Sequence, residues 1–420
     1  MKVLIYIRPW NRDKILEIGD TLFKNYNKTT ISDFKNCGDL WIKKLKYKQL
    51  IEISKDEISD IIRRCRYLRS INVKTAEKLV LECYSKIYDV FNNNKFEYCL
   101  IGIPDCYTMD IICRIAKKQN IQVISFVKSF ITGYSRFTVY GEGIKCREIL
   151  DENEVNRVYD MLENVNFKPT FELNKIKSKY KLYKYYIYRR FIQWTYFPIK
   201  KMTCNDYYNY HYNTKLFTKS IRNYLPFNLE KFFKKNEEII FEQDDVYLPL
   251  HYTPEATVDY WAINNKHANY ENFILDFIRN SDSNIRFIIK EHPAKYGMRD
   301  IDFYKNLKKF ENVILIHPYE NSNMILNNVK NVLITTGSVG VEAIIRGKNV
   351  FFTTENYYSF INQYKIVDRL TSYDLNSIGY KVDKKKFLED LLKLHFPIDI
   401  DDTDFSRKIK EYFEYIRGSK

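Results

Sequence analysis

Glycine and proline are scarce in this 420-residue chain, at 12 and 10 residues. No low-complexity segment and no repeat of fixed period is present, which sets aside solenoid and linker-rich organisations. Eight cysteines (Cys37, Cys65, Cys83, Cys99, Cys106, Cys113, Cys146 and Cys204) form no CxxC pair. The usual zinc-site spacing is therefore absent, and they read as buried thiols in a reducing compartment. The DxD-like pairs Asp300/Asp302 and Asp399/Asp401 are discounted as metal sites, since the first opens a predicted helix where carboxylates cap well. No metal and no cofactor are expected. No apolar run approaches membrane-spanning length. Only five apolar residues lie between Lys2 and Arg8, too few for a signal peptide. These absences predict a cytoplasmic protein. RRM, KH, zinc-finger and helix-turn-helix patterns are missing too, so nucleic acid is not an expected partner.

What is present reads as a soluble globular protein, 45% hydrophobic and 29% charged, long enough for two or three domains. A net charge of +15 favours an anionic partner. The charge is concentrated in Asn174–Met202, which has nine basic residues, nine aromatics and no acidic residue. Tyr180, Tyr183, Ile187, Phe191 and Trp194 recur at spacings of three and four, one aromatic face of a helix. Such a helix suits peripheral binding to an anionic membrane face, and equally suits packing between domains.

Strand-like and helix-like runs alternate on either side of this segment, the pattern of parallel sheets with helices on both faces. Strands are predicted at Lys2–Ile7, Glu97–Gly102 and Ile121–Phe126. Helices are predicted over roughly Leu40–Cys65, Thr75–Phe91 and Tyr107–Lys118. The division is a Rossmann-like domain over 1–165, a helical connection over 166–240, a second Rossmann-like domain over 241–400, and a C-terminal helix over 401–420.

The stretch from Tyr247 to Tyr358 gathers its polar residues at strand ends. Three of the six histidines follow predicted strands there: His251, His292 and His317. Ligands of open parallel sheets bind outside the carboxyl ends of the strands, so this is where a site belongs. Thr335–Lys348 reads as strand, tight turn and helix. Gly337 is expected to allow a positive-φ turn, Ser338 to cap the helix, and Gly340 to admit a ligand close to the first turn. Free N–H groups at that turn would suit phosphate. The segment lacks GK[ST] and GxGxxG, so it is neither a Walker loop nor a dinucleotide fingerprint. Lys290 and His292 set a cation beside an imidazole, able to bond a phosphate oxygen or to protonate a leaving group. Glu255 and His251 are placed to face an interdomain cleft. Arg136 and Glu142 stand in a loop after another predicted strand, Ser129–Lys145.

Taken together, LPLHYTPE, KEHP and NVLITTGSVGVEAIIRGKNVFF resemble the bacterial capsule polysaccharide biosynthesis family. The resemblance covers roughly residues 245–355 and implies a GT-B-like fold, two Rossmann-like domains facing across a cleft. It implies a glycosyltransferase related to CMP-sugar-using Kdo- and sialyltransferases, with a nucleotide-sugar donor and a polysaccharide or lipid-linked glycan acceptor. Carried over, His292 and Lys290 meet the donor phosphate, Thr336, Gly337 and Ser338 lie beside it, and Glu342 nears the ribose. One departure stands out. Gly133-Tyr134-Ser135-Arg136 matches the family pattern, but Ile131 and Thr132 stand where paired acids are usual. Glu142, Glu255 or Asp105 would then supply the base. A teichoic-acid-type polyol-phosphate transferase using a CDP-polyol, and a non-catalytic assembly subunit, stay open as alternatives.

Overall fold

The computed structural model describes residues 1–167, 169, 229–253, 255–263, 265–296, 299–359, 365–377 and 382–418, with single positions at 184, 188, 195 and 199. Apart from those four positions, Asn174–Met202 lies outside the described residues, so its expected helix is not among them.

The first sheet is built on β1 (Lys2–Tyr6), whose Val3, Leu4, Ile5 and Tyr6 are all buried. A strand apolar on both faces belongs in the middle of a parallel sheet. The chain runs on through α1 (Arg12–Leu22), β2 (Asn27–Ser32), β3 (Leu40–Trp41), α2 (Lys55–Arg64), α3 (Val73–Asn94), β4 (Tyr98–Leu100), α4 (Tyr107–Lys118) and β5 (Gln122–Ile124). Strand order is β3-β2-β1-β4-β5, parallel throughout. The helix expected from Leu40 starts only at Lys55, where the Ser54 side chain accepts from the Glu57 N–H. Ile121–Phe126, read as one strand, runs as β5 only to Ile124 and breaks at Ser125. Beyond it β6 (Phe126–Lys128) pairs antiparallel with β7 (Ser135–Phe137).

After α5 (Glu152–Glu163), the second alternating run comprises β8 (Val246–Pro249), α6 (Ala256–Asp259), α7 (Tyr270–Asn280), β9 (Phe287–Lys290), α8 (Ile301–Leu307) and β10 (Val313–Ile316). It continues with α9 (Ser322–Asn328), β11 (Asn331–Ile334), α10 (Val339–Ile345), β12 (Asn349–Phe352) and β13 (Lys365–Ile366). The order β10-β9-β8-β11-β12-β13 is again all parallel. Two parallel α/β sheets with a cleft between them make the fold GT-B-like. Among the described residues no helix is long and apolar enough to cross a membrane.

Three further helices close the chain: α11 (Ser372–Ser377), α12 (Lys384–Leu392) and α13 (Phe405–Gly418). Burial does not follow the boundaries drawn at 165 and 401. Val155, Val158 and Leu162 of α5 join the second core, against α10 and α12. Phe405, Ile409, Phe413 and Ile416 of α13 join the first core instead, with Phe413 edge-on to Phe23. Each fully buried side chain of this kind contributes about 1.5–3 kcal/mol, so α13 is an integral layer of the first unit.

Strand order sets where the site sits. In the second sheet the chain reverses direction of addition between β8 and β11, and a crevice opens outside the carboxyl ends of such a pair. The register shows it: β8 and β11 pair only at Val246↔Asn331 and Tyr247↔Val332, while β8 and β9 stay paired to Pro249↔Lys290. Val246 and Leu250 give their N–H groups to the β9 side. By alternation Pro249 faces β11, and it has no N–H to continue that ladder.

Candidate functional site

The crevice opens into a cavity of about 670 Å³ between the two units. His251, Glu255, Lys290, His292, Thr336, Gly337, Ser338 and Glu342 line it from the second unit, and Arg136 lines it from the first. Nine of the twelve residues singled out in the sequence are thus brought together. Glu142, His317 and Gly340 are not among them.

At the switch point, the Thr336 N–H donates to His251 Nε2 at 3.2 Å, and the Thr336 hydroxyl donates to the Thr257 carbonyl at 3.1 Å. His251 therefore carries its proton on Nδ1 and holds the turn. Of the N–H groups expected to be free at this turn, that of Thr336 is therefore already taken. The free donors lie one step on: among the described residues the N–H groups of Gly337, Ser338 and Val339 meet no protein acceptor. Gly337 is not in the positive-φ region. A Cβ there would stand 3.2 Å from His251 Cε1, so its smallness serves the imidazole. Ser338 makes no side-chain cap, which leaves its hydroxyl to the cavity. Gly340 is small for a different neighbour: a Cβ would come within 2.5 Å of the Tyr358 hydroxyl, which itself donates to the Gly337 carbonyl.

Below the turn lies a buried ion pair that sequence reading missed. Arg299 and Glu291 are both fully buried and meet at 2.6 Å. The Glu291 carboxylate also accepts from the Tyr304 hydroxyl and the His292 N–H, each at 2.6 Å. Arg299 reaches on to the His251 carbonyl at 2.8 Å. Burial works against the Glu291 charge, but Arg299 outweighs it and holds the carboxyl below its ordinary range. The pair fixes the backbone of both cavity histidines. Nothing in the periodicity around Arg299, in the sequence Gly-Met-Arg-Asp, marks it as a core residue.

Burial pushes His292 down to about 4, against the pull of the Glu291 carboxylate, and pushes His251 down to about 3. His395, packed elsewhere against Tyr357, is likewise lowered to about 3 by burial. All three are neutral at pH 7. Folded pKa values below the unfolded 6.5 mean that the unfolded chain binds more protons between them. Their contribution to stability is fully present above about pH 6.5 and is lost as pH falls through 4 towards 3. The melting temperature should drop over that window. His395→Gln, which takes up no proton, should flatten the drop by one histidine's share.

The remaining candidates separate. Burial raises Glu255, with Thr257 Oγ1 donating to its carboxylate at 2.7 Å. The Glu142 carboxylate instead accepts from the N–H groups of Val139 and Tyr140, at 2.8 and 2.6 Å, and points into its own loop. It is not positioned as the cleft's base. Arg136 is buried and lies over the Tyr357 ring at 3.8 Å and near Trp261 at 4.9 Å, its Nη1 donating to the Glu142 carbonyl. His317 packs among Phe233, Tyr296 and Tyr319 and is not part of the cavity lining. Asp105 is held by Arg8 Nη1 at 3.0 Å outside the cavity lining. Seven cysteines are buried and in no disulfide; Cys204 lies outside the described residues. Among the described residues no cluster of metal-ligating side chains occurs.

The family model described as capsule polysaccharide biosynthesis protein matches residues 170–362, the segment that carries β8 to β12 and the turn after β11. That bears out the resemblance read from the three motifs. No curated protein matches the chain. Among solved structures, the chain is similar to the β-Kdo 2,7 transferase of Thermosulfurimonas dismutans KpsC, at 11% identity and a TM-score of 0.37, covering all of both chains. The β-Kdo 2,4 transferase of the same protein is 11% identical at a TM-score of 0.34, over 71% of this chain and 79% of that one. A UDP-GlcNAc 2-epimerase from Methanocaldococcus jannaschii is 14% identical at 0.24, over 96% and 93%. Likenesses this distant say nothing of substrate.

Proposed function

We propose that the chain is a glycosyltransferase of capsule or other surface polysaccharide assembly, taking its sugar from a CMP-linked donor. The observation that carries this is the convergence at one switch point of Lys290, neutral His292 and the three unbonded N–H groups of Gly337, Ser338 and Val339. Together they form a seat for a phosphate, with oriented backbone donors and one cation. The family match over the same segment supports the reading.

In this reading Lys290, His292 and the 337–339 amides hold the donor phosphate, and Glu342 turns towards the ribose. An arriving phosphate raises the His292 pKa, so the imidazole can pass a proton to the departing phosphate oxygen. Glu255 replaces Glu142 as the carboxylate that takes the acceptor's hydroxyl proton, since it faces the cavity and its pKa is raised by burial. The acceptor glycan lies against the wall formed by Ser129, Phe130 and Arg136.

The site tests itself by ligand-linked stability. A cytidine nucleotide at about 100 times its dissociation constant stabilises the folded chain by about 2.7 kcal/mol. CMP is expected to raise the melting temperature more than UMP, GMP or AMP. Equal shifts from all four would remove the CMP assignment and keep the phosphate seat; no shift from any would remove the enzyme reading. The buried Ile131 at the place of the family's paired acids favours, as a second reading, a subunit that binds nucleotide without turnover. Product analysis with a CMP-sugar and with CDP-glycerol separates transfer of a sugar, transfer of a polyol phosphate, and no transfer.

A further inference from the structure

The segment 255–263 joins the phosphate turn to the first unit. Its short helix α6 ends on Asp259, which is 1% exposed. Arg66 Nε meets Asp259 Oδ2 at 2.7 Å and Arg69 Nη1 meets Oδ1 at 2.9 Å, both arginines coming from the first unit just beyond α2. Arg64, at the end of α2, gives Nη1 to the carbonyls of Asp259, Tyr260 and Ala262 at 3.2, 3.3 and 2.9 Å, and Nη2 to Ile263 at 2.8 Å. A helix end leaves its last carbonyls without partners of their own; here the opposite unit supplies them. Two residues before Asp259, the Thr257 carbonyl accepts the Thr336 hydroxyl.

We propose that Asp259 is a positioning residue for the phosphate turn, clamped by Arg66 and Arg69 so that the first unit sets where Thr336 stands. Thr336 is then fixed from two sides, by His251 within its own sheet and by Thr257 on the clamped segment. A buried carboxylate with two guanidinium partners gives this path its stiffness, because moving Asp259 breaks two charged hydrogen bonds at once. The role presumes the nucleotide site described above, and the test separates the two.

Asp259→Asn keeps the shape and removes the charge; Thr336→Val removes the hydroxyl link to Thr257. Isothermal titration with CMP is expected to show about tenfold weaker binding for each single variant. The double variant should be no weaker than either single one, since both cut the same path. A merely structural Asp259 would lower the melting temperature yet leave CMP affinity unchanged, or would multiply with Thr336→Val; either result overturns the proposal. Amide hydrogen exchange supplies a readout without nucleotide. In Asp259→Asn the Thr336 amide should exchange about tenfold faster while the β11 amides keep their rates. Unchanged exchange at Thr336 also overturns it. If wild type does not bind CMP, the donor reading falls and the exchange result alone decides the clamp. Should Asp259→Asn fail to fold, Arg69→Gln is the substitute, expected to weaken CMP binding about threefold and to speed Thr336 exchange in proportion.

Discussion

His292→Ala should slow transfer by orders of magnitude while leaving the free protein folded. The imidazole is only part-buried, it lines the cavity, and its ring stands 5.7 Å from that of Tyr252. Removing it leaves the Glu291 carboxylate still bonded to the 292 backbone N–H, so the strand end keeps its shape. What is lost is a hydrogen bond to the phosphate and a proton for the leaving oxygen. General acid catalysis of this type contributes about 10²–10⁴-fold, so turnover should fall by that range. The CMP-induced rise in melting temperature should shrink but persist, because Lys290 and the turn amides remain. Ser338→Ala is the control: its N–H stays, and only the hydroxyl contact goes. A His292→Ala variant with wild-type turnover would remove His292 from the chemistry, whatever became of nucleotide binding.

Glu291→Ala is expected to be the most damaging single change to stability. It leaves the Arg299 guanidinium fully buried without its carboxylate and strips the acceptor from the Tyr304 hydroxyl and the His292 N–H. Breaking a buried pair from one side costs about 3–5 kcal/mol, a large part of the stability of an ordinary domain. Denaturant unfolding should show the midpoint moving down with little change in slope. Glu291→Gln should cost less, since its amide oxygen can still accept while the charge is lost. Glu291→Ala with an unchanged midpoint would mean that Arg299 finds water or another anion, and the pair would not be the anchor described here.

The parallel sheets were legible because buried strands such as Lys2–Tyr6 and Phe287–Lys290 are apolar runs ending in polar residues. Tyr107–Lys118 was legible as a helix from its apolar spacing alone. β2 was not: Asn27–Ser32 reads NKTTIS, half-exposed and mostly polar, and it is a strand only because β1 offers it a ladder from Lys2↔Asn27 to Tyr6↔Ile31. The strand ends gave away His251, Lys290 and His292, since topology sends any such residue to the same rim. Side-chain roles were less legible. Glu142 and Glu255 look alike in a sequence, and only tertiary contacts decide that one caps its own loop and the other faces the cavity. Gly340 shows the same gap, its small size answering to Tyr358, which follows it by eighteen positions.

The place of α13 has a consequence for synthesis. The side chains of Phe405, Ile409 and Phe413 cover a face of the sheet that begins at Lys2. At ordinary elongation speeds they leave the ribosome on the order of tens of seconds after that sheet. Until then Phe23 and Leu100 have no lid from α13. A nascent chain of this design carries a sticky, half-dressed sheet from the emergence of β5 onward, and chaperone occupancy should concentrate there until residue 405 has emerged.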